Sequence, residues 1–215
     1  MYILYGDDFT RSMLVRWVLE EGKLEYEQRE IDILKDEHRT AEFLAINPAG
    51  LVPVLITPEG NALCEVAALM VYLADRHQLS ELAPAATDPR RGLFLSTVFY
   101  IASEIQSEMK RFYYPHRFSL RREDDAGIRD LAKRLLLNHL DVMNARLEKP
   151  GPYVLGDRFC LADWYLSYWM TFLESNVLRE RFPAIAALYD LVKARPGTAP
   201  YFEVQERVVA HYGRI

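Results

Sequence analysis

"NPAGLVPVL", residues 47–55, sets a proline in the middle of an otherwise apolar, β-type run. Proline lacks the N–H that a sheet ladder needs and is confined to edges and bulges. Pro53, between Val52 and Val54, therefore marks a point where the strand stops pairing with its own sheet. A valyl–prolyl bond after a Gly-containing turn can take the cis form at a cost of only about 0.5–1 kcal/mol. Such a bond turns the Val52 N–H and C=O outward, where a peptide-like ligand can lie against them as an added strand. Downstream, Glu65 opens a predicted helix, whose unpaired N–H groups and positive dipole end attract a carboxylate. Together these features predict a site for a small peptide bearing a free amine and a free carboxylate.

Working outward, "YILY" (2–5) is a β-type run, and after "GDD" the stretch "TRSMLVRWVLEEG" has helical spacing with Gly22 as its stop. "LEYEQREIDI" (24–33) alternates as a second strand, and "TAEFLAIN" is a short helix closed by Asn47-Pro48. "VPVLIT", the turn "PEGN", the strand "ALC" and the helix "EVAALMVYLADRHQ" complete a compact α/β unit over 1–78. "LSELAPAATDPRR" has no period and supplies a connector over 79–89. From residue 90 onward only helical patterns occur, at roughly 90–118, 124–148, 162–177, 184–195 and 199–210.

The bulk numbers narrow the function. With 215 residues and 50% apolar content the chain can bury a substantial core. Cys64 and Cys160 are far apart and show no metal-ligand spacing, so no metal is expected and a reducing, cytoplasmic setting is. No run is long and apolar enough to span a membrane, and no leader pattern is visible. The net charge of −5 lacks the basic excess that binds phosphate backbones, so neither nucleic acid nor membrane is an expected partner.

The runs "NPAGLVPVL", "LCEVAALMVYLADRH" and "LAP", with "LYG" and "TRSMLVRWVLEEG" before and "GDRFCLADWYLSYW" after, resemble the cytosolic glutathione transferase superfamily over essentially the whole chain. The resemblance implies a thioredoxin-like N-terminal α/β domain with a cis-proline at Pro53, an all-α C-terminal domain over 90–215 lining a hydrophobic substrate pocket, and a homodimer. It also implies glutathione as co-substrate, conjugated to a small-molecule electrophile in a detoxification-type reaction. Glutathione would meet Val52, Pro53, Glu65 and Val66, with Arg11 and Lys35 as further cationic candidates and His38 and Arg39 nearby.

The sequence departs from the family pattern in places. Val66 stands where relatives carry serine, which removes a hydroxyl donor worth about 1–3 kcal/mol if its acceptor stays unpaired. Leu51 replaces a Lys or Gln. Phe9, which cannot donate, occupies the position of the thiol-activating serine. Thr10 and Tyr5 are then the catalytic candidates, the hydroxyl that lowers the glutathione thiol pKa being supplied by one or the other. The blander readings are a plain N-cap for Thr10, a packed aromatic for Tyr5 and solvated charges for Arg11 and Lys35. Phe9, Tyr113, His116 and Trp169 are candidates to wall the electrophile pocket, with core packing as the alternative. Cys160 replaces the Ser or Thr of a capping box completed by Asp163. Two rivals to transferase chemistry follow: a weakly active or non-catalytic binding protein of the same fold, and a glutathione-dependent disulfide reductase or lyase.

Overall fold

A computed structural model describes residues 1–149 and 151–215. The chain divides into two compact units, Met1–Ala85 and Ala86–Ile215, with the division inside the 79–89 connector.

The first unit is built on a four-stranded mixed sheet: β1 Tyr2–Tyr5, β2 Tyr26–Arg29, β3 Val54–Ile56 and β4 Ala62–Leu63. The strand order is β2-β1-β3-β4, with β1 and β2 parallel and the other neighbours antiparallel. The parallel pair needs a crossover, which α1 (Ser12–Glu21) supplies; α2 (Ala41–Ile46) and α3 (Val66–Arg76) follow. This is the thioredoxin-like arrangement. Strand alternation separates two faces. Tyr5 and Val54 join Phe43 and Val52 in one apolar cluster, while Leu4 and Leu55 point the other way and are fully buried. α1 and α3 pack on one another.

The predicted strand over 24–33 is shorter than expected. It ends at Arg29, residues 30–32 are irregular, and short 3₁₀ turns follow at Ile33–Lys35 and Glu37–Arg39, where Asp32 caps the first through the Leu34 N–H and competes with strand pairing.

The second unit is helical. α4 (Arg91–Tyr100) continues through a π-helical turn at Ile101–Ile105 into α5 (Gln106–Tyr113); α6 is Asp125–Leu147, α7 Leu161–Met170, α8 Ser175–Arg181, α9 Pro183–Lys193 and α10 Ala199–Tyr212. Two expectations need correction. The helix expected over 90–118 stops at Tyr113, since Tyr114 precedes Pro115 and is driven out of the helical region. The helix expected over 162–177 is two helices. The break is held by the chain end: the Ile215 N–H bonds the Phe172 carbonyl and the Glu174 N–H bonds the Ile215 carbonyl.

Every residue of α7 is buried, the mark of a helix at the centre of its unit. Its start is fixed by a reciprocal capping box between Cys160 and Asp163. Asp163 is fully buried and accepts from the Val154 N–H at 2.8 Å and the Cys160 N–H at 2.7 Å. Burial pushes its carboxyl up to about 7, against the pull of those two donors. Because the folded value lies above the ordinary 3.8, the stability this proton confers is complete below 3.8 and is lost as pH rises through about 7. Asp163→Ala orphans two N–H groups and should lower unfolding free energy by roughly 2–4 kcal/mol, read as a shifted urea midpoint. The loss of stability between about pH 5 and pH 8 should be smaller in this variant than in the wild type.

Candidate functional site

The β1–β3 ladder runs Ile3–Ile56, Leu4–Leu55, Tyr5–Val54 and ends there. The next register position would pair Gly6 with Pro53, which has no N–H to give. One position further, Asp7 stands opposite Val52. The β3–β4 ladder pairs Leu55 with Leu63 and Ile56 with Ala62; continued outward, it sets Glu65 opposite Pro53. The register alone thus gathers the Asp7 loop, Val52–Pro53 and Glu65 at one end of the sheet. The Val52–Pro53 peptide bond is cis. The Val52 main chain takes part in no hydrogen bond among the described residues, while the Leu51 carbonyl is occupied by Asn47 Nδ2 at 2.7 Å.

Glu65 has φ 69° and ψ 107°, a conformation that a residue with a Cβ rarely adopts. It precedes α3, its side chain does not cap the first turn, and its carboxylate is exposed. The first-turn N–H groups of α3 are therefore uncapped by a side chain and directed out of the helix start. Strain of this kind is held where the surroundings over-determine it and clusters at ligand sites. Val66 begins the helix with its side chain buried, at 4% exposure.

At the start of α1 the hydroxyls are engaged with one another. Thr10 Oγ1 lies 2.9 Å from the Asp7 carbonyl and 2.7 Å from Ser12 Oγ, and Ser12 Oγ donates to the same carbonyl at 2.6 Å. The Thr10 N–H also bonds the Asp7 carbonyl, so of the two Thr10 donors only the hydroxyl can turn to a ligand. The Arg11 N–H is unpaired among the described residues. Gly6, at φ +131°, leaves room for this arrangement: a Cβ there would come within 2.7 Å of Ser12. Ser12 is buried and was not singled out from the sequence, where it reads as an ordinary helix-start serine; the T-x-S spacing is the only signal it offers. Asp7 itself accepts from the Phe9 N–H at 3.1 Å, and burial raises its carboxyl above the ordinary range.

The other candidates fall as follows. Tyr5 is buried in the cluster with Phe43 and Val52, edge-on to Phe43, and its hydroxyl accepts from Arg29 Nη1 at 2.8 Å. Lys35 is exposed and ion-paired to Asp32 at 2.9 Å. Phe9 and Leu51 are exposed, and Arg11 is half-buried. In the second unit, Tyr113 donates its hydroxyl to the Gly213 carbonyl at 2.8 Å, and burial raises its pKa. Ring contacts link it through Phe172 to Trp169 and through Tyr212 and Tyr114 to His116. The structure thus strings Tyr113, His116 and Trp169 on one aromatic ladder. Trp169 is 6% exposed, and its indole N–H has no partner among the described residues. No cluster of three or more His, Cys, Asp or Glu side chains fit to hold a metal occurs among the described residues. No described helix is long and apolar enough to cross a membrane.

Residues 11–76 match the family described as "Glutathione S-transferase, N-terminal domain", and residues 110–205 the corresponding C-terminal domain. The chain belongs to the glutathione transferase superfamily. It is 26% identical over 213 residues to a glutathione S-transferase domain-containing protein of Dictyostelium discoideum, covering 90% of this chain and 78% of that one. It is 28% identical over 193 residues to a maleylacetoacetate isomerase of Pseudomonas aeruginosa, covering 87% and 88%. A crystal structure of a glutathione transferase homologue from Sulfitobacter, with bound glutathione, matches at a TM-score of 0.80 and 27% identity, covering 94% and 97% of the two chains.

The backbone at Glu65 gives a direct test in this glutathione transferase family member. Glycine removes the Cβ penalty at positive φ and alanine keeps it. Glu65→Gly should therefore unfold at higher urea than Glu65→Ala, by about 1 kcal/mol.

Proposed function

We propose that this chain is a glutathione S-transferase that joins the glutathione thiolate to small apolar, aromatic electrophiles. The observation that carries the reading is the meeting of three segments at one sheet end: the Thr10 loop, the unpaired Val52 main chain, and Glu65 ahead of α3. Glutathione would pair its backbone with Val52, present its amine to the Glu65 carboxylate, and set its own carboxylate at the α3 start. Bound glutathione in the Sulfitobacter homologue supports the choice of co-substrate.

The sulfur would then lie near the start of α1. Two hydroxyl protons, on Thr10 and Ser12, face one shared carbonyl and each other. If Ser12 donates to Thr10 Oγ1, the Thr10 proton is released to the thiolate, and the chain of bonds strengthens the final one. The Arg11 N–H and the helix dipole add positive potential. A thiol of ordinary pKa near 8.5 is then held as thiolate at neutral pH. With an aromatic halide, a C–S bond forms and the C–halogen bond breaks, the halide leaving with the electron pair. Catalysis rests on thiolate stabilisation and positioning. Exposed apolar side chains on the helical unit, Phe99 and Leu131 among them, support a homodimer, and the lack of any disulfide framework supports a cytoplasmic setting.

A second reading, a glutathione-fold binding protein with little turnover, is favoured by Phe9, an exposed aromatic where relatives place a hydroxyl. Retention on immobilised glutathione together with turnover of an aromatic halide supports the transferase; retention without turnover supports the binding protein. Thr10→Val should raise the bound thiol pKa by about one unit, with tenfold less thiolate at neutral pH, measured by ultraviolet thiolate absorbance. Ser12→Ala should raise it by less. Glu65→Ala should weaken calorimetric glutathione affinity by at least about tenfold, since a charge-assisted contact is lost. Val66→Ser buries a hydroxyl that only the ligand can satisfy, so glutathione should raise the melting temperature of that variant more than that of the wild type.

A further inference from the structure

Residues 110–122, "KRFYYPHRFSLRR", carry five Lys and Arg and no Asp or Glu, in a chain whose net charge is −5. The acidic balance of the whole therefore hides a basic segment interleaved with aromatic residues. The segment covers the end of α5 and the turn that joins it to α6. It lies within the helical unit and shares no residue with the sheet end described above. The turn is braced. Pro115 is buried, the Arg117 N–H bonds the Tyr114 carbonyl at 3.0 Å, and the Phe118 N–H bonds the Pro115 carbonyl at 2.9 Å. Beyond it, Ser119 Oγ donates to Asp124 Oδ2 at 2.5 Å, and Arg129 Nη1 donates to the Phe112 carbonyl at 2.7 Å.

This turn presents apolar side chains at its tip and positive charge around them. Leu120 is 105% exposed and Phe118 48%. A single exposed leucine is ordinary, but these two stand two residues apart among cations. Arg111 lies over the Phe118 ring at 5.4 Å and Arg117 over the Tyr114 ring at 4.3 Å. Arg117 is exposed and has no carboxylate partner among the described residues. Arg111, Arg121 and Arg122 pair with Glu108, Asp124 and Asp125. In the last two pairs the charges are layered: the arginine side chains are 71% and 77% exposed, their carboxylates 32% and 26%. The cations form the outer layer, and of the acids at 123–125 only Glu123 is exposed. Exposed ion pairs contribute little, so these guanidiniums can turn to an outside anion.

We propose that this turn docks the protein peripherally on an anionic lipid bilayer, with Leu120 and Phe118 in the interface and Arg117, Arg121 and Arg122 on the lipid phosphates. A polyanion such as RNA would satisfy the arginines and leave Leu120 in water; an anionic bilayer takes both the charge and the apolar tip. The arginine stems lie along the apolar boundary while the guanidiniums reach the headgroups. No described helix is long and apolar enough to cross a membrane, so the attachment rests on the turn alone and weakens as salt screens its charges.

The test is flotation of the full chain with vesicles of equal parts phosphatidylcholine and phosphatidylglycerol, set against vesicles of phosphatidylcholine alone. Binding to the mixed vesicles should be at least about tenfold tighter and should weaken as ionic strength rises. Phe118→Ser with Leu120→Ser should weaken it by at least about tenfold at an unchanged urea midpoint. Arg117→Gln with Arg122→Gln should flatten the salt dependence. The three native tryptophans are buried, so in the Leu120→Trp protein only position 120 is open to quenching by brominated acyl chains, and anionic vesicles should produce that quenching. Absence of flotation with the mixed vesicles at low salt would overturn the proposal, as would affinity within about twofold of the wild type in the Phe118→Ser, Leu120→Ser protein. So would a vesicle-bound Leu120→Trp protein that is not quenched, or retention on polyuridylic RNA with none on the vesicles.

Discussion

A missing hydrogen-bond donor shapes the first unit. Because Pro53 has no N–H, β1 and β3 part company after Tyr5–Val54, and Val52 just beyond has a main chain with no hydrogen-bond partner among the described residues. β4 keeps its register with β3, so the chain reaches Glu65 at the height where that pairing was given up. The loop after β1 arrives at the same height. Ending the sheet early therefore brings these segments to one place, and the helices that start there, α1 and α3, add their dipoles to it.

Few hydroxyls reach that end of the sheet. Phe9 contributes none, and Tyr5 lends its oxygen to Arg29 within an apolar cluster. Thr10 and Ser12 bring a pair of hydroxyls that share the Asp7 carbonyl, in a turn that tolerates only glycine at position 6. The substitution of Val66 reads differently once its burial is known. The side chain closes the α3 start against the core and contributes apolar packing there.

Much of this was legible in the residues. The strands and helices of the first unit follow from period and punctuation, and "NPAGLVPVL" located the end of the β1–β3 ladder because proline chemistry is local. Features set by distant partners were not legible. Nothing between Thr171 and Glu174 signals a helix break, since the break is held by bonds to Ile215. Arg29 meets Tyr5 only through the β1–β2 register. Ser12 looks like a hundred other helix-start serines until its oxygen is placed beside Thr10.

The central position of α7 has a consequence for how the second unit comes apart. A helix with no solvent-facing residue, packed against α4 and α9, cannot fray alone. Its backbone amides can meet water only when the helices around it separate, so the slowest hydrogen exchange and the largest opening free energy of the unit belong to this one element. The turn at 153–156 and the chain end at Ile215 are both bonded to its flanks, and so melt on the same schedule.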